Sequence, residues 1–346
     1  RLIDSKGMAD EELSASPQNT LASNQQLLDA FPPVAFAFAY GSAVYPQRGY
    51  SRADLNSAMT DLIFAVDDPL QWHALNMERN SSHYSLLGAL GPSTVAAVQE
   101  HVGAGIYYNA LIPVRGRMVK YGVMSTSRLA DDLRNWSTLY VSGRMHKPIQ
   151  VLLPDEKMHR AQACNLHSAL SAALILQPSR MNERALFKSI CGLSYGGDVR
   201  LRLVENRKVA DIVDAQLALL RAIYADPMQA LISQGHLHAR PAKGSAATDT
   251  DSLSNHSRRV KAGEDVYYEQ DESWEGRERL LSRLPRNAKS ELIRTLSGAR
   301  TSADTPDEEV SARLNETARA LWRQPHTATT HAVPSARLAN ALQSSL

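Results

Sequence analysis

Hydrophobic and polar positions divide the chain into stretches of different rhythm. From Val34 to Tyr40 the run Val-Ala-Phe-Ala-Phe-Ala-Tyr is short, apolar and aromatic, which predicts a buried strand closing at Gly41-Ser42. A second run, Leu62 to Val66, follows Asp61 and predicts another. Leu70 to Asn80 and Pro92 to Val102 read as helices. Ile106 to Ile112 and Met118 to Met124 read as strands joined across an Arg115-Gly116 turn. Leu129 to Tyr140 brings Leu129, Leu133, Trp136 and Tyr140 near one helical face. Strands interleaved with helices predict an α/β layer architecture over residues 31–150, after an N-terminal tail at 1–30.

Beyond residue 150 the period becomes helical. Ala161 to Leu176, Glu183 to Cys191 and Val209 to Tyr224 predict three helices around the Gly-rich turn from Gly192 to Gly197. They define a helical domain over 151–235. The polar string Gly-Ser-Ala-Ala-Thr-Asp-Thr-Asp-Ser then breaks the pattern, and 236–280 reads as a disordered insertion. The segment 281–346 carries two more helices. The last, Ser335 to Leu346, places Leu338, Leu342 and Leu346 on one stripe. That stripe suits either a membrane interface or packing against the second domain.

Composition narrows the classes. The 346 residues carry 38 Lys+Arg against 36 Asp+Glu, a formal charge of +2, which argues against a nucleic-acid coat and against an acidic tail protein. Cys164 and Cys191 are too few for a disulfide framework and, among apolar neighbours, read as buried thiols of a reducing compartment. No apolar run reaches the ~18 residues of a membrane span. Asp4, Asp10, Glu11 and Glu12 make the first 25 residues too acidic for a transit peptide. Any such address is expected upstream of Arg1 or already removed.

Candidate chemistry gathers at five places. Tyr40-Gly41-Ser42 ends a buried strand where a residue without Cβ lets backbone approach phosphate oxygens, and Asp61 opens the next strand as a candidate Mg²⁺ ligand. A plain turn and a strand-end cap are the alternative for these residues. Trp72, His73, Asn76, Asn80, His83 and Tyr84 concentrate rings and amides in a manner that suits a nucleotide and headgroup pocket. His73 and His83 lack zinc-helix spacing, and Asp67 and Asp68 also fit N-caps for the helix after Pro69. Tyr107-Tyr108-Asn109 and Lys120-Tyr121-Gly122 form a third cluster, in which Lys120, within a strand, either faces the cleft and a phosphate or points to solvent on an edge strand. Arg144 and Lys147 suit phosphate oxygens or the dipole of a helix end. Ser194, Tyr195, Asp198 and Arg200 share one short loop, the kind of display that ligand-binding loops carry.

The ordered blocks YGSAVYPQ, DLIFAVDDPLQWHALNMERNSSHYS, YYN, VKYGVMS, DDLRNW, LYVSGRMHKP and GLSYGGDVR resemble the mitochondrial phosphatidate cytidylyltransferases, the translocator assembly and maintenance family. The resemblance is dense over 31–225 and resumes weakly at Leu284-Pro285 and in the C-terminal segment. It implies a nucleotidyltransferase domain, a winged-helix-like second domain and an amphipathic C-terminal helix on the matrix side of the inner membrane. It further implies CTP and phosphatidate as substrates, Mg²⁺ as cofactor, and entry into cardiolipin synthesis. Gly41 and Ser42 match its nucleotide-binding turn and Asp61 its metal-binding carboxylate. The wider superfamily carries a second carboxylate two residues on, where this chain has Ile63, so Asp67 becomes the candidate second ligand. Transfer to another acceptor, or a non-catalytic role in assembly, are the competing expectations.

Overall fold

The computed structural model describes residues 17–45, 58–195, 202–240, 266–323 and 334–345. The chain forms two compact units: Arg1–Asp132 with Pro148–Ala161, and Leu133–Lys147 with Gln162–Leu346. This differs from a single cut at residue 150. The edge strand at Gln150–Leu153 hydrogen-bonds to the strand at Phe36–Tyr40, which ties 148–161 to the first unit.

The first unit is built on a mixed sheet. Helix α1 (Pro17–Gln25) leads to β1 (Phe36–Tyr40) and β2 (Thr60–Val66). Helices α2 (Pro69–Arg79) and α3 (Pro92–His101) then precede the hairpin β3 (Tyr107–Val114) and β4 (Arg117–Ser125), followed by α4 (Thr126–Asn135) and β5 (Gln150–Leu153). The order across the sheet is β3-β4-β2-β1-β5. Only β2 and β4 run parallel, because α2, α3 and β3 return the chain to the starting edge. Positive φ at Arg115 and Gly116 makes the expected tight hairpin turn. Leu62, Phe64 and Val66 bury against Tyr121, Val123 and Trp72 on one face, and Ile63 and Ala65 are buried on the other, the pattern of a central strand covered on both sides. Asp68 caps α2 by accepting from the Gln71 N–H at 3.0 Å.

The helix expected to run through Tyr140 stops at Asn135. Trp136 takes φ 53°, and its indole N–H donates to Asn165 Oδ1 at 2.8 Å within the second unit.

The second unit contains more than helices. Around α5 (Glu156–Leu176), α6 (Glu183–Gly192), α7 (Arg202–Ile223) and α8 (Ala225–Ser233), the strands β6 (Arg180–Asn182), β7 (Leu237–Arg240) and β8 (Tyr267–Gln270) form an antiparallel sheet ordered β6-β8-β7. The expected insertion at 236–280 is therefore structured at both ends by β7, β8 and helix α9 (Trp274–Ser282), while 241–265 lies outside the described residues. Tyr268 and Trp274 are buried there, which an insertion without a core would not require.

Helices α10 (Arg286–Ser297), α11 (Asp307–Trp322) and α12 (Pro334–Ser345) complete this unit. Leu338 and Leu342 are 2% and 0% exposed and pack with α10 and α11, so of the two expectations for this stripe, these two residues follow packing within the second unit. Leu346 lies outside the described residues. Cys164 is exposed, contrary to the expectation for both thiols, and only Cys191 is buried. Among the described residues no helix is long and apolar enough to cross a membrane.

Candidate active site

Three neighbouring strands of the first unit bring three of the expected residues into one row. Tyr40 pairs with Asp61 across β1 and β2, and Asp61 pairs with Lys120 across β2 and β4. Lys120 Nζ lies 3.2 Å from Asp61 Oδ1, with both side chains only a quarter to a third exposed. The alternative of a solvent-facing Lys120 is thereby excluded. The ammonium also stands 4.9 Å from the centroid of the Tyr108 ring on β3.

Gly41 closes the row. Its φ of +85° is left-handed, a conformation side chains resist, and a Cβ placed there would lie 3.2 Å from Asp61 Oδ2. The chain then makes a helical turn in which the Val44 and Tyr45 N–H groups donate to the Gly41 carbonyl at 3.2 and 3.0 Å. Ser42 sits half-buried in that turn. Tyr45 fixes the turn to the start of β5 by donating its hydroxyl to Ile149 O at 3.1 Å. A carboxylate, a cation and a compact turn thus share one end of the sheet, an arrangement suited to a polyphosphate and its counter-ion.

Asp67 does not join them. It follows the far end of β2, six residues and roughly 20 Å along an extended strand from Asp61. There it accepts from Thr126 Oγ1 at 2.9 Å. Ile63, on the same strand face as Asp61, is fully buried in the core. Among the described residues no cluster of three or more His, Cys, Asp or Glu side chains could hold a metal by protein ligands alone. The donor set at Asp61 therefore fits Mg²⁺ only in the mode in which one carboxylate, substrate phosphates and water share the ion.

The ring-and-amide concentration around Trp72 resolves largely into a hydrogen-bond network, buried at His73 and Asn76 and half-buried at Asn80, His83 and Tyr84. The Tyr121 hydroxyl accepts from Asn76 Nδ2 at 3.0 Å and Asn109 Nδ2 at 2.8 Å, and donates to His83 Nδ1 at 3.1 Å. The Asn76 amide also donates to Tyr84 Oη at 3.0 Å and its carbonyl accepts from Asn80 at 2.9 Å. His73 bridges Tyr84 at 2.8 Å and Gln99 Oε1 at 2.9 Å, so its Nε2 carries the proton and its Nδ1 accepts. Burial holds the His73 and His83 imidazoles below the usual histidine range and pushes the Tyr84 hydroxyl up to about 12. The hydroxyls and amides of this network are matched to one another, as a core treats polar atoms, while the buried Trp72 indole N–H has no hydrogen-bond partner among the described residues. A cavity of about 410 Å³ does open beside this network, lined by Met77, Tyr84, Leu86 and Ala89 among others, but none of the row residues lines it.

The second unit has a cationic cluster of its own. Lys147 Nζ donates to Gly143 O at 3.0 Å and to Ser194 Oγ at 3.3 Å. Burial pushes its ammonium down to about 8, with Cys191 raising it and Arg144 and Lys208 lowering it further. Arg144 lies over the Tyr140 ring at 3.7 Å and donates to Tyr140 O at 2.5 Å. The structure thus joins Arg144, Lys147 and Ser194. Tyr195 ends the short turn Leu193–Tyr195, and Asp198 and Arg200 lie outside the described residues. Tyr108, which the sequence groups with Lys120 and Gly122, is brought beside both by the register of β3 and β4.

Relatives of known name match more than half of this chain. A protein of Xenopus laevis named mitochondrial phosphatidate cytidylyltransferase is 45% identical over 205 residues, covering 58% of this chain and 61% of that protein. The human protein of the same name is 43% identical over 216 residues, covering 61% and 48%. That of Schizosaccharomyces pombe is 42% identical over 194 residues, covering 56% and 49%. The match therefore spans less than two thirds of each relative's own length. The family model described as mitochondrial phosphatidate cytidylyltransferase matches residues 24–343, a range that takes in the row at Gly41, Asp61 and Lys120 and the helices of the second unit, and the chain belongs to that family.

Proposed function

We propose that the chain transfers a cytidylyl group from CTP to phosphatidate, giving CDP-diacylglycerol and pyrophosphate. The observation that carries this reading is the Asp61–Lys120 pair set 3.2 Å apart on adjacent strands and closed by the left-handed Gly41 turn. Family membership and the relatives' names supply the substrate class.

In this reading a phosphate oxygen of phosphatidate attacks the α-phosphorus of CTP. The new P–O bond forms as the α–β anhydride bond breaks, and pyrophosphate leaves with the electron pair. The attacking phosphate is already ionised, so a general base contributes little, and positioning with charge neutralisation carries the catalysis. Tyr40, Gly41 and Ser42 form the edge on which the nucleotide triphosphate is seated. Lys120 supplies a fixed positive charge to the phosphates. Asp61 would hold Mg²⁺, which when bound neutralises charge developing on the phosphates. Arg144, Lys147 and Ser194, with Tyr195, Asp198 and Arg200 of the same loop, are candidates for binding a phosphate on the second unit by itself. The reaction is placed on the matrix side of the mitochondrial inner membrane, at the entry to cardiolipin synthesis, with the protein bound peripherally.

The test supplies α-labelled CTP, Mg²⁺ and phosphatidate vesicles to the purified full chain, following lipid-borne label and pyrophosphate together. Equal appearance of both is expected. Pyrophosphate release without labelled lipid would redirect the reading to another acceptor. Absence of both would favour a non-catalytic role in assembly.

A further inference from the structure

The hairpin β3–β4 carries a feature that neither the family name nor the row itself accounts for. Tyr108 stands directly opposite Gly122, and Gly122 lies two residues beyond Lys120 on the same strand face. A Cβ at Gly122 would come within 2.7 Å of Tyr108 Cε1 and 2.6 Å of Ile106 Cδ1. Both distances are shorter than real Cβ contacts, so the ring occupies the space that any larger residue would fill. Lying across that gap, the ring meets the diagonal neighbour on β4, where Lys120 Nζ sits 4.9 Å from its centroid. A lysine stem has four rotatable bonds and is ordinarily mobile. Here its ammonium is held from two sides, by the Asp61 carboxylate at 3.2 Å and by the face of an aromatic ring.

We propose that Tyr108, admitted by Gly122, is a positioning residue that aims the Lys120 ammonium at the nucleotide phosphates. The inference rests on the cytidylyltransferase reading above. The ring and the Asp61 carboxylate together restrict the ammonium before substrate arrives. Because the ring acts through Lys120 on a charge that CTP carries in both ground and transition states, its loss raises KM for CTP more than it lowers kcat. The attraction to the cation comes from the ring face, which Phe would retain.

The experiment measures kcat and KM for CTP with phosphatidate vesicles in the full chain and its variants Y108F, Y108L, G122A, K120A and the double variant Y108L/K120A. Expected are a KM for CTP raised roughly 3- to 10-fold in Y108L with kcat within about twofold, the scale of one cation–ring contact. Y108F retains wild-type kinetics, and G122A moves in the direction of Y108L because its methyl displaces the ring. In the K120A background, Y108L adds nothing further. An undiminished effect of Y108L in that background, or a Y108F as impaired as Y108L, overturns the proposal by showing a role that does not pass through Lys120. A wild-type chain that makes no CDP-diacylglycerol removes instead the reading on which the proposal rests. An active wild type without coupling between positions 108 and 120 sinks the inference alone.

Discussion

Lys120 and Tyr121 are adjacent in sequence and serve two regions with opposite treatments of polarity. Lys120 points into a partly open row with Asp61 and Tyr40, where one carboxylate faces one ammonium at the end of a sheet. Tyr121 points through the other face into a closed network in which Asn76, Asn109, His83, Tyr84, His73 and Gln99 satisfy one another. Both regions are rich in the residue types that mark binding sites. The difference is stoichiometry: a network whose hydroxyls and amides are matched to one another has little to offer a ligand, whereas a part-exposed carboxylate–cation pair beside a glycine turn has more. Buried polar groups without partners are costly, so full satisfaction is the mark of scaffold.

The comparison makes graded predictions. Asp61→Ala is expected to lower cytidylyl transfer by roughly 10²–10³-fold, the scale of removing a principal electrostatic group. Its melting temperature should stay within about 2 °C, because a part-exposed ion pair adds little stability. Retained activity in that variant would remove Asp61 from the row's chemistry. Tyr121→Phe should do the reverse. Removing one hydroxyl strands three partners and should cost about 2 kcal/mol, or roughly 4–8 °C in the melt, with activity per folded molecule unchanged at low temperature. A Tyr121→Phe protein that melts normally but fails to turn over would mean the network touches substrate after all.

A smaller effect is expected at the helix that presents the network. Asp68→Ala removes the α2 cap and should cost about 1 kcal/mol in denaturant titration, again without changing turnover. The smallest concerns pH. His73 and His83 are held below the usual histidine range by burial, so the unfolded chain takes up their protons more readily than the folded one. Their contribution to stability is then fully present above about pH 6.5 and declines as pH falls below it, towards their lowered folded values. Thermal melts between pH 7.5 and 5.5 should show this decline, with a shallower slope in His73→Gln. Identical slopes would remove His73 from the explanation.

Much of the first unit was readable from periodicity. The runs at Val34–Tyr40 and Leu62–Val66, the helix after Pro69 and the Arg115-Gly116 hairpin depend on local pattern and turn chemistry, and each appears within a few residues of its expected place. The errors share a cause. Asp67 looked close to Asp61 in sequence, but a strand spends about 3.3 Å on every residue and carries it to the opposite end of the sheet. The short strands of the second unit escaped notice because three or four residues show no period, and β7 and β8 flank a polar stretch that masks them.

What the sequence determined by itself was therefore local: where strands and helices run, which turn needs glycine, and, through the order of its blocks, the family. Tertiary structure decided which polar residues face one another. Tyr40, Asp61 and Lys120 lie on three strands whose pairing joins them, and no spacing along the chain encodes that register. The same holds for the stripe of α12. Leu338 and Leu342 are apolar whether they meet a bilayer or a helix, and only the placement of α10 and α11 over them turned the stripe inward. Hydrophobic burial is non-directional, so a sequence states that a surface must leave water without stating what will cover it.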